Sequence, residues 1–298
     1  MDKTPNFLIL GAPKAATTSL AFYFSQHPQV FIPKIKEINY FGDDHHYRHG
    51  IGWYQRFFES ADPINQPVIG EATPTYLYEA QRVAPRVKAT LGNKVKFICL
   101  LRNPVTRAWS HYLHNVRHNI ENRSFKEALT YELDKLHNNI PPDVRNAYFS
   151  CGNYANQIEK WYEFYGKEKF FFVLYEDLIK NPAPTIHNLF QFFELDDTGV
   201  TIDITAQNVG GSARSKFLMG LLVSPPELIK SIVKNLLPMY IRRPILPKLI
   251  DLNSNRFTKT PMLSAEDALV LLTKYRDSFG KLERLTGLDT SPWLERAL

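Results

Sequence analysis

Apolar residues follow two rhythms along this chain. Short, nearly unbroken runs stand at Phe7–Leu10 (FLIL), Lys94–Leu101 (KVKFICLL) and Lys169–Leu174 (KFFFVL). Runs of that kind suit strands of a sheet covered on both faces. Pro67–Glu71 reads as another strand running into a turn, and Val30–Ile32 as a short one. Between them, apolar residues recur at helical spacing over Ala15–Gln26, Trp53–Glu59, Tyr78–Leu91, Ser124–Leu136 and Tyr154–Tyr165. Asn103-Pro104 supplies an N-cap and an N1 proline and predicts a helix to about His118. Asn181-Pro182 opens one to about Phe193. Ser264, three residues before Asp267, opens another to Leu285. Strand, loop and helix alternate as in βαβ units. The expected fold class is therefore α/β, with a central, mainly parallel sheet flanked by helices.

No internal repeat and no Gly/Ser linker divides the chain, so a single domain over 1–298 is expected. Residues 207–262 break the rhythm and are expected as a loop or cap region. NVGGSARSK is a basic, glycine-containing loop, and Phe217–Leu252 mixes apolar pairs with Lys, Arg and proline. Three placements fit that stretch: core, a cap over a second ligand, or contact with an anionic membrane surface.

Composition narrows the function classes. The 298 residues are 44% hydrophobic, 13% aromatic and 22% charged, which excludes disordered, collagen-like and low-complexity chains. Cys99 and Cys151 cannot make a disulfide framework, and no Cys/His spacing matches a zinc site. A reducing, cytoplasmic setting without a metal is expected. The apolar part of MDKTPNFLILGAPKAATTSL is too short for a signal peptide, and the longest apolar runs elsewhere are far below the roughly 20 residues of a spanning helix. A soluble protein is the expectation. The net charge of +6 favours an anionic ligand or surface, whether nucleic acid, anionic lipid or a phosphorylated cofactor. Neither a helix-turn-helix pattern nor a long Lys/Arg run supports nucleic acid.

Two segments carry chemistry. In LILGAPKAATTSL a buried strand delivers Gly11, Lys14, Thr17, Thr18 and Ser19 to the mouth of a helix. Backbone N–H groups and the helix dipole there favour an anion, and lysine and hydroxyls add donors. It is not a Walker A loop, since the lysine comes first and no GK[ST] follows. In KFICLLRNPVTRAWSHY a strand ends at Arg102, and Ser110 follows two turns into the next helix. An arginine suits a phosphate through paired hydrogen bonds, and its place at a strand end, where an ATPase would hold Mg²⁺ with Asp, argues against Mg-NTP chemistry.

These segments resemble motifs of the sulfotransferases that use 3′-phosphoadenosine 5′-phosphosulfate (PAPS). Lys14-Ala15-Ala16-Thr17-Thr18-Ser19 looks like the family's 5′-phosphosulfate loop. Arg102-Asn-Pro-Val-Thr-Arg107-Ala-Trp-Ser110 looks like its 3′-phosphate motif. Lys36-Glu37-Ile-Asn-Tyr-Phe41 resembles the segment holding the catalytic glutamate of heparan-type enzymes, Gly70-Glu-Ala-Thr-Pro-Thr-Tyr76 the substrate-side turn, and Tyr175-Glu-Asp the segment whose tyrosine lies near adenine. The similarity resembles most that of bacterial relatives of heparan sulfotransferases and of cyanobacterial polyketide-synthase sulfotransferase domains.

The resemblance implies a P-loop-like fold and transfer of a sulfuryl group from PAPS to a hydroxyl or amine, leaving adenosine 3′,5′-bisphosphate (PAP). Glu37 would be the general base and Lys14 would stabilise the transferring charge, without a metal. Lys14 to Ser19, Arg102, Ser110, Tyr175, Ser212 and Arg214 would bind the nucleotide. Lys36, Trp53, Tyr54, Thr73, Tyr76 and Tyr112 are candidates for the acceptor side, the acceptor being a small natural product, a saccharide or a hydroxyacyl chain. His45, His46, His111 and His114 are rivals for the base, since cytosolic members of the family use histidine. Ala72 stands where heparan-type enzymes have lysine. Ala16 replaces a glycine, so an ordinary backbone angle is expected there. A P-loop-type kinase and a basic nucleic-acid or membrane-binding module are the alternatives.

Overall fold

The computed structural model describes residues 3–204, 211–213, 249, 254–256 and 261–295. They group into two compact units, Met1–Ala108 with Phe149–Asn208 and Ala265–Leu298, and Trp109–Tyr148 with Val209–Ser264.

The first unit is built on a five-stranded sheet, β1 (Phe7–Gly11), β2 (Val30–Phe31), β3 (Val68–Ala72), β4 (Lys96–Leu101) and β5 (Phe170–Leu174), in the spatial order β2-β3-β1-β4-β5. Every pairing is parallel. This is the expected α/β architecture. Phe7 to Gly11 are all buried, and in β4 only Lys96 is not. Helices cover both faces, as continuous apolar strands require. On one face Phe7 meets Phe24 of α1 (Thr17–Phe24) at 5.2 Å. Phe24 in turn lies on Phe190 of α9 (Pro182–Phe192), the helix that follows the short α8 (Tyr175–Lys180). On the other face Phe97 packs against Trp161 of α7 (Tyr154–Tyr162), Tyr165 and Phe170, each near 5 Å.

The chain builds β1, β2 and β3 on one side, then crosses to β4 and β5 on the other. The order reverses between β1 and β4, and open parallel sheets bind ligands outside the carboxyl ends at such a point. The segments after β1, β3, β4 and β5 all leave from that edge. They are the segments that the sequence singled out for chemistry. Two short helices, α2 (Asp44–Arg48) and α3 (Ile51–Gln55), and the longer α4 (Ala80–Leu91) connect the β2–β3–β4 stretch. The expected helix Trp53–Glu59 is thus α3 followed by a 3₁₀ turn at Arg56–Phe58.

In the second unit, the last part of α5 (Pro104–Arg117) and α6 (Phe125–His137) share an aromatic cluster of Trp109, Tyr112 and Phe125. Ser124 caps α6 in a capping box with Glu127. Strands β6 (Gly211–Ala213) and β7 (Ser254–Arg256) pair antiparallel. The unit boundary at residue 108 falls inside α5, which is why no linker composition marks it. The chain returns to the first unit in α10 (Ala265–Thr286) and α11 (Ser291–Glu295). Arg214, and the stretch 217–252 apart from Leu249, lie outside the described residues.

Candidate active site

The loop after β1 starts at a glycine for a steric reason. A Cβ on Gly11 would meet the Pro74 carbonyl oxygen at 2.7 Å and Leu77 Cβ at 2.8 Å. Ala12 N–H then donates to Leu100 O at 2.7 Å and ties the loop to β4. Lys14 and Ala16 both adopt left-handed backbone angles, φ 69° and 64°. The ordinary angle expected at Ala16 is therefore wrong, and the helix begins at Thr17 rather than Ala15. The left-handed turn is kept although the glycine is gone, at a cost of about 1–2 kcal/mol. No side chain caps α1. The N–H groups of Thr17, Thr18 and Ser19 occupy its first turn, where a helix leaves donors without intrahelical partners and carries positive dipole charge.

Arg102 reaches this loop from the end of β4. One guanidinium nitrogen donates to Lys14 O at 3.1 Å, and Nε donates to Thr106 Oγ1 at 3.1 Å. Its planar group lies over the Tyr175 ring at 4.5 Å. Partial burial pulls the Arg102 pKa down, with Tyr175 and Glu176 opposing that shift. The segment is braced from behind. Asn103 Oδ1 accepts from Val105 N–H at 2.9 Å and caps α5, as the Asn-Pro pair predicts. Asn103 N–H donates to Glu176 Oε1 at 3.0 Å, Trp293 Nε1–H to Glu176 Oε2 at 3.2 Å, and Tyr154 OH to Arg102 O at 2.8 Å. Arg107, the second arginine of the motif, is fully buried and bears electrostatically on Tyr154. So Lys14, Ala15, Ala16, Thr17, Thr18, Ser19, Arg102 and Tyr175 come together at one edge.

An acidic group stands beside them. Glu37 has φ 53°, and its N–H donates to Ala72 O at 3.2 Å, at the end of β3. Taken as a whole, the residue is exposed. Loss of surrounding water nevertheless raises its pKa, against the lowering pull of Lys14 first and Lys36 second. Partial desolvation lowers the Lys36 pKa, with Glu37 opposing. A carboxyl whose desolvation is opposed by two neighbouring cations is the kind of perturbed group that marks a functional-site candidate.

The other acceptor-side candidates divide. Thr73 and Tyr76 are 2% and 0% exposed, and both hydroxyls are bonded to the buried carboxyl of Glu71, as is that of Tyr54. Glu71 itself escaped the sequence reading, because nothing in GEATPTY distinguishes a buried carboxyl from a solvated one. Trp53 stacks on His46 at 4.7 Å. Tyr112 belongs to the second unit, where its hydroxyl donates to Arg123 O at 3.0 Å. Ser110 lies half-buried in that unit, and for Ser212 the backbone of β6 alone is described. Among the rival histidines, His46 Nδ1 contacts Asn39 O and His45 faces His49, whereas His111 packs on Tyr148 and His114 on His118. Among the described residues no group of three His, Cys, Asp or Glu could hold a metal, and no helix is long and apolar enough to cross a membrane.

Comparison with known proteins identifies the family of the chain. The sulfotransferase domain family matches residues 4–209. A membrane-associated sulfotransferase of Dictyostelium discoideum is 42% identical over 133 residues, 44% of this chain and 27% of its own length. A bifunctional heparan sulfate N-deacetylase/N-sulfotransferase of Bos taurus is 30% identical over 202 residues, 64% of this chain and 22% of its own length. The chain thus corresponds to about a quarter of the length of these relatives. The crystal structure of a sulfotransferase from Alicyclobacillus acidocaldarius superposes with a TM-score of 0.69 at 24% identity, covering 97% of this chain and 98% of that one, and so shares its fold. With a family match over two thirds of its length, the chain belongs to the sulfotransferase domain family of enzymes.

Proposed function

We propose that this chain moves a sulfuryl group from PAPS to an acceptor hydroxyl or amine, with Glu37 as general base. The observation that carries the reading is the double engagement of Lys14. Its carbonyl receives Arg102, and its ammonium acts on the Glu37 carboxyl. One residue therefore joins the cation-rich loop to the acid.

The residues fit the donor. The uncapped start of α1, with Lys14, Thr17, Thr18 and Ser19, suits a phosphosulfate, and the half-buried Arg102 suits a 3′-phosphate beside an adenine near Tyr175. PAPS, when bound, supplies an electrophilic sulfur and a phosphate leaving group. Glu37 takes the proton of the acceptor as the acceptor oxygen or nitrogen bonds to sulfur. The bridging S–O bond breaks, and its electron pair leaves with the 5′-phosphate. Lys14 and the N–H groups of the first turn hold the negative charge that gathers there. The acceptor is a small natural product, a saccharide or a hydroxyacyl chain, with Lys36 and Trp53 on its side. Buried Cys99 and Cys151, neither of them in a disulfide, suit a reducing, cytoplasmic setting.

Thermal unfolding with PAP and with ATP tests the reading. A ligand held only by the native state raises the midpoint by mass action. PAP should raise it clearly more than ATP, which lacks the 3′-phosphate. Equal shifts, or Mg²⁺-dependent ATP turnover, would replace the reading with that of a kinase.

A further inference from the structure

Glu71 is a carboxyl at 1% exposure at the end of β3, with no cation bonded to it among the described residues. Three hydroxyls donate to it. Tyr54 OH and Tyr76 OH reach Oε1 at 3.0 and 3.1 Å, and Thr73 Oγ1 reaches Oε2 at 2.7 Å. Two of these hydroxyls also accept. Asn39 N–H donates to Thr73 Oγ1 at 3.3 Å, and Phe41 N–H donates to Tyr76 OH at 3.2 Å. Each forms a relay, from the backbone of residues 39–41 through a hydroxyl to one carboxylate. The segment so held is the one that presents Glu37, and Glu37 and Asn39 are both in left-handed conformations, φ 53° and 52°. Non-glycine residues stay in that region only when their surroundings hold them there.

We propose that Glu71 is the positioning residue of the acid side. Its carboxylate turns the Thr73 and Tyr76 hydroxyls toward itself, so that their lone pairs receive Asn39 and Phe41 and fix the strained segment that aims Glu37. The inference rests on the reading of Glu37 as base. Thr73 and Tyr76 then serve the loop, not the acceptor.

The arrangement has a protonation requirement. An ionised carboxylate accepts from all three hydroxyls. A protonated one must donate its own proton, and one hydroxyl then has to turn away. Burial raises the Glu71 pKa to about 7, against the three hydroxyl bonds, and the Glu37 charge adds to the rise. The ionisable groups facing Glu71 are Tyr54, Tyr76 and Glu37, with Tyr40 stacked on Tyr54 at 4.5 Å; those facing Glu37 are Lys14, Lys36 and Glu71. The phenols of Tyr54 and Tyr76 are raised well above their ordinary range and stay neutral donors.

The test uses hydrolysis of PAPS to PAP and sulfate, with water as acceptor, on the full chain. Glu71→Gln should lower kcat at pH 8 about tenfold or more, leave PAP affinity within twofold, and move the acid limb of kcat to lower pH. Amide exchange at residues 37–41 should speed up, and exchange in β1 should not change. Thr73→Val should lower kcat several-fold at unchanged KM, and Thr73→Ser should restore it, which keeps the test alive if Glu71→Gln does not fold. Wild-type rates and exchange in both Glu71→Gln and Thr73→Val would overturn the anchor. Glu37→Gln is the separate control. If it still hydrolyses PAPS, the base reading fails, and the exchange at 37–41 then decides the anchor by itself.

Discussion

The two sides of the sheet edge solve opposite electrostatic problems with different materials. Around Lys14 and Arg102 the chain gathers cations, and it does so through backbone geometry: a left-handed turn, an open helix end and one guanidinium bond to a carbonyl. Around Glu37 and Glu71 it gathers acids, and it does so through side-chain hydroxyls that bridge residues 39–41 to residues 71–76. On the proposed reading, an anionic donor neutralises the cation side. The acid side has no such partner, and the protein meets its buried carboxyl with three hydroxyls of its own. This explains why the first is partly open and the second contains a carboxyl shut away from water.

The largest effect should come from that buried carboxyl. A group whose pKa is about 7 in the fold and about 4.5 when unfolded binds its proton more tightly in the native state. Its contribution to stability is full below pH 4.5, falls as pH rises, and levels off above about 7. The unfolding free energy of wild type minus that of Glu71→Gln should therefore drop by about 3 kcal/mol between pH 4.5 and 8, read from urea titrations. A flat difference would mean that the three hydroxyls fully offset burial, and the contrast between the two sides would vanish.

On the cation side, Arg102→Ala removes a charged donor and the support of Lys14 O. PAP affinity should fall about 10–100-fold by calorimetry, from the roughly 1.5–3 kcal/mol of a charge-assisted hydrogen bond. Adenosine 5′-phosphosulfate, without the 3′-phosphate, should lose far less. Equal losses for both would place Arg102 on the loop alone.

The smallest change probes the backbone. Ala16→Gly relieves a left-handed alanine and should stabilise the protein by about 0.5–1 kcal/mol in urea, with PAP affinity kept. Destabilisation would mean that the Ala16 methyl packs usefully enough to outweigh its strained angle.

The two sides also differ in how far the sequence exposes them. The strands were readable from FLIL and KFICLL because burial on both faces leaves an apolar run no surface strand needs, and KFFFVL is as apolar although only Phe170 and Val173 of the edge strand β5 are buried. The cation side was readable because its parts are contiguous: Lys14 to Ser19 in one loop, Arg102 at one strand end, Tyr175 at another. The left-handed angles at Lys14 and Ala16 were not, since neither residue type advertises them. The clamp on Glu71 was hidden because it joins four stretches: Asn39–Phe41, Tyr54, Glu71 and Thr73–Tyr76. Each of those residues alone has an ordinary reading as core or surface. The division at residue 108 was equally silent, because a helix continues through it.

The position of β1 has a consequence for how the chain reaches its fold during synthesis. β1 is the central strand, flanked by β3 and β4, yet it is made before both. Its β3 partner starts at Val68 and its β4 partner at Lys96. At about 5–20 residues per second, the four apolar residues of β1 wait roughly 3–12 s for the first neighbour to leave the ribosome, and longer for the second. Parallel pairing across such separations is slow in any case. For that interval Phe7–Gly11 is the segment of the nascent chain most in need of a chaperone, and fusion or truncation schemes that delay β3 further should lower soluble yield before they touch the site.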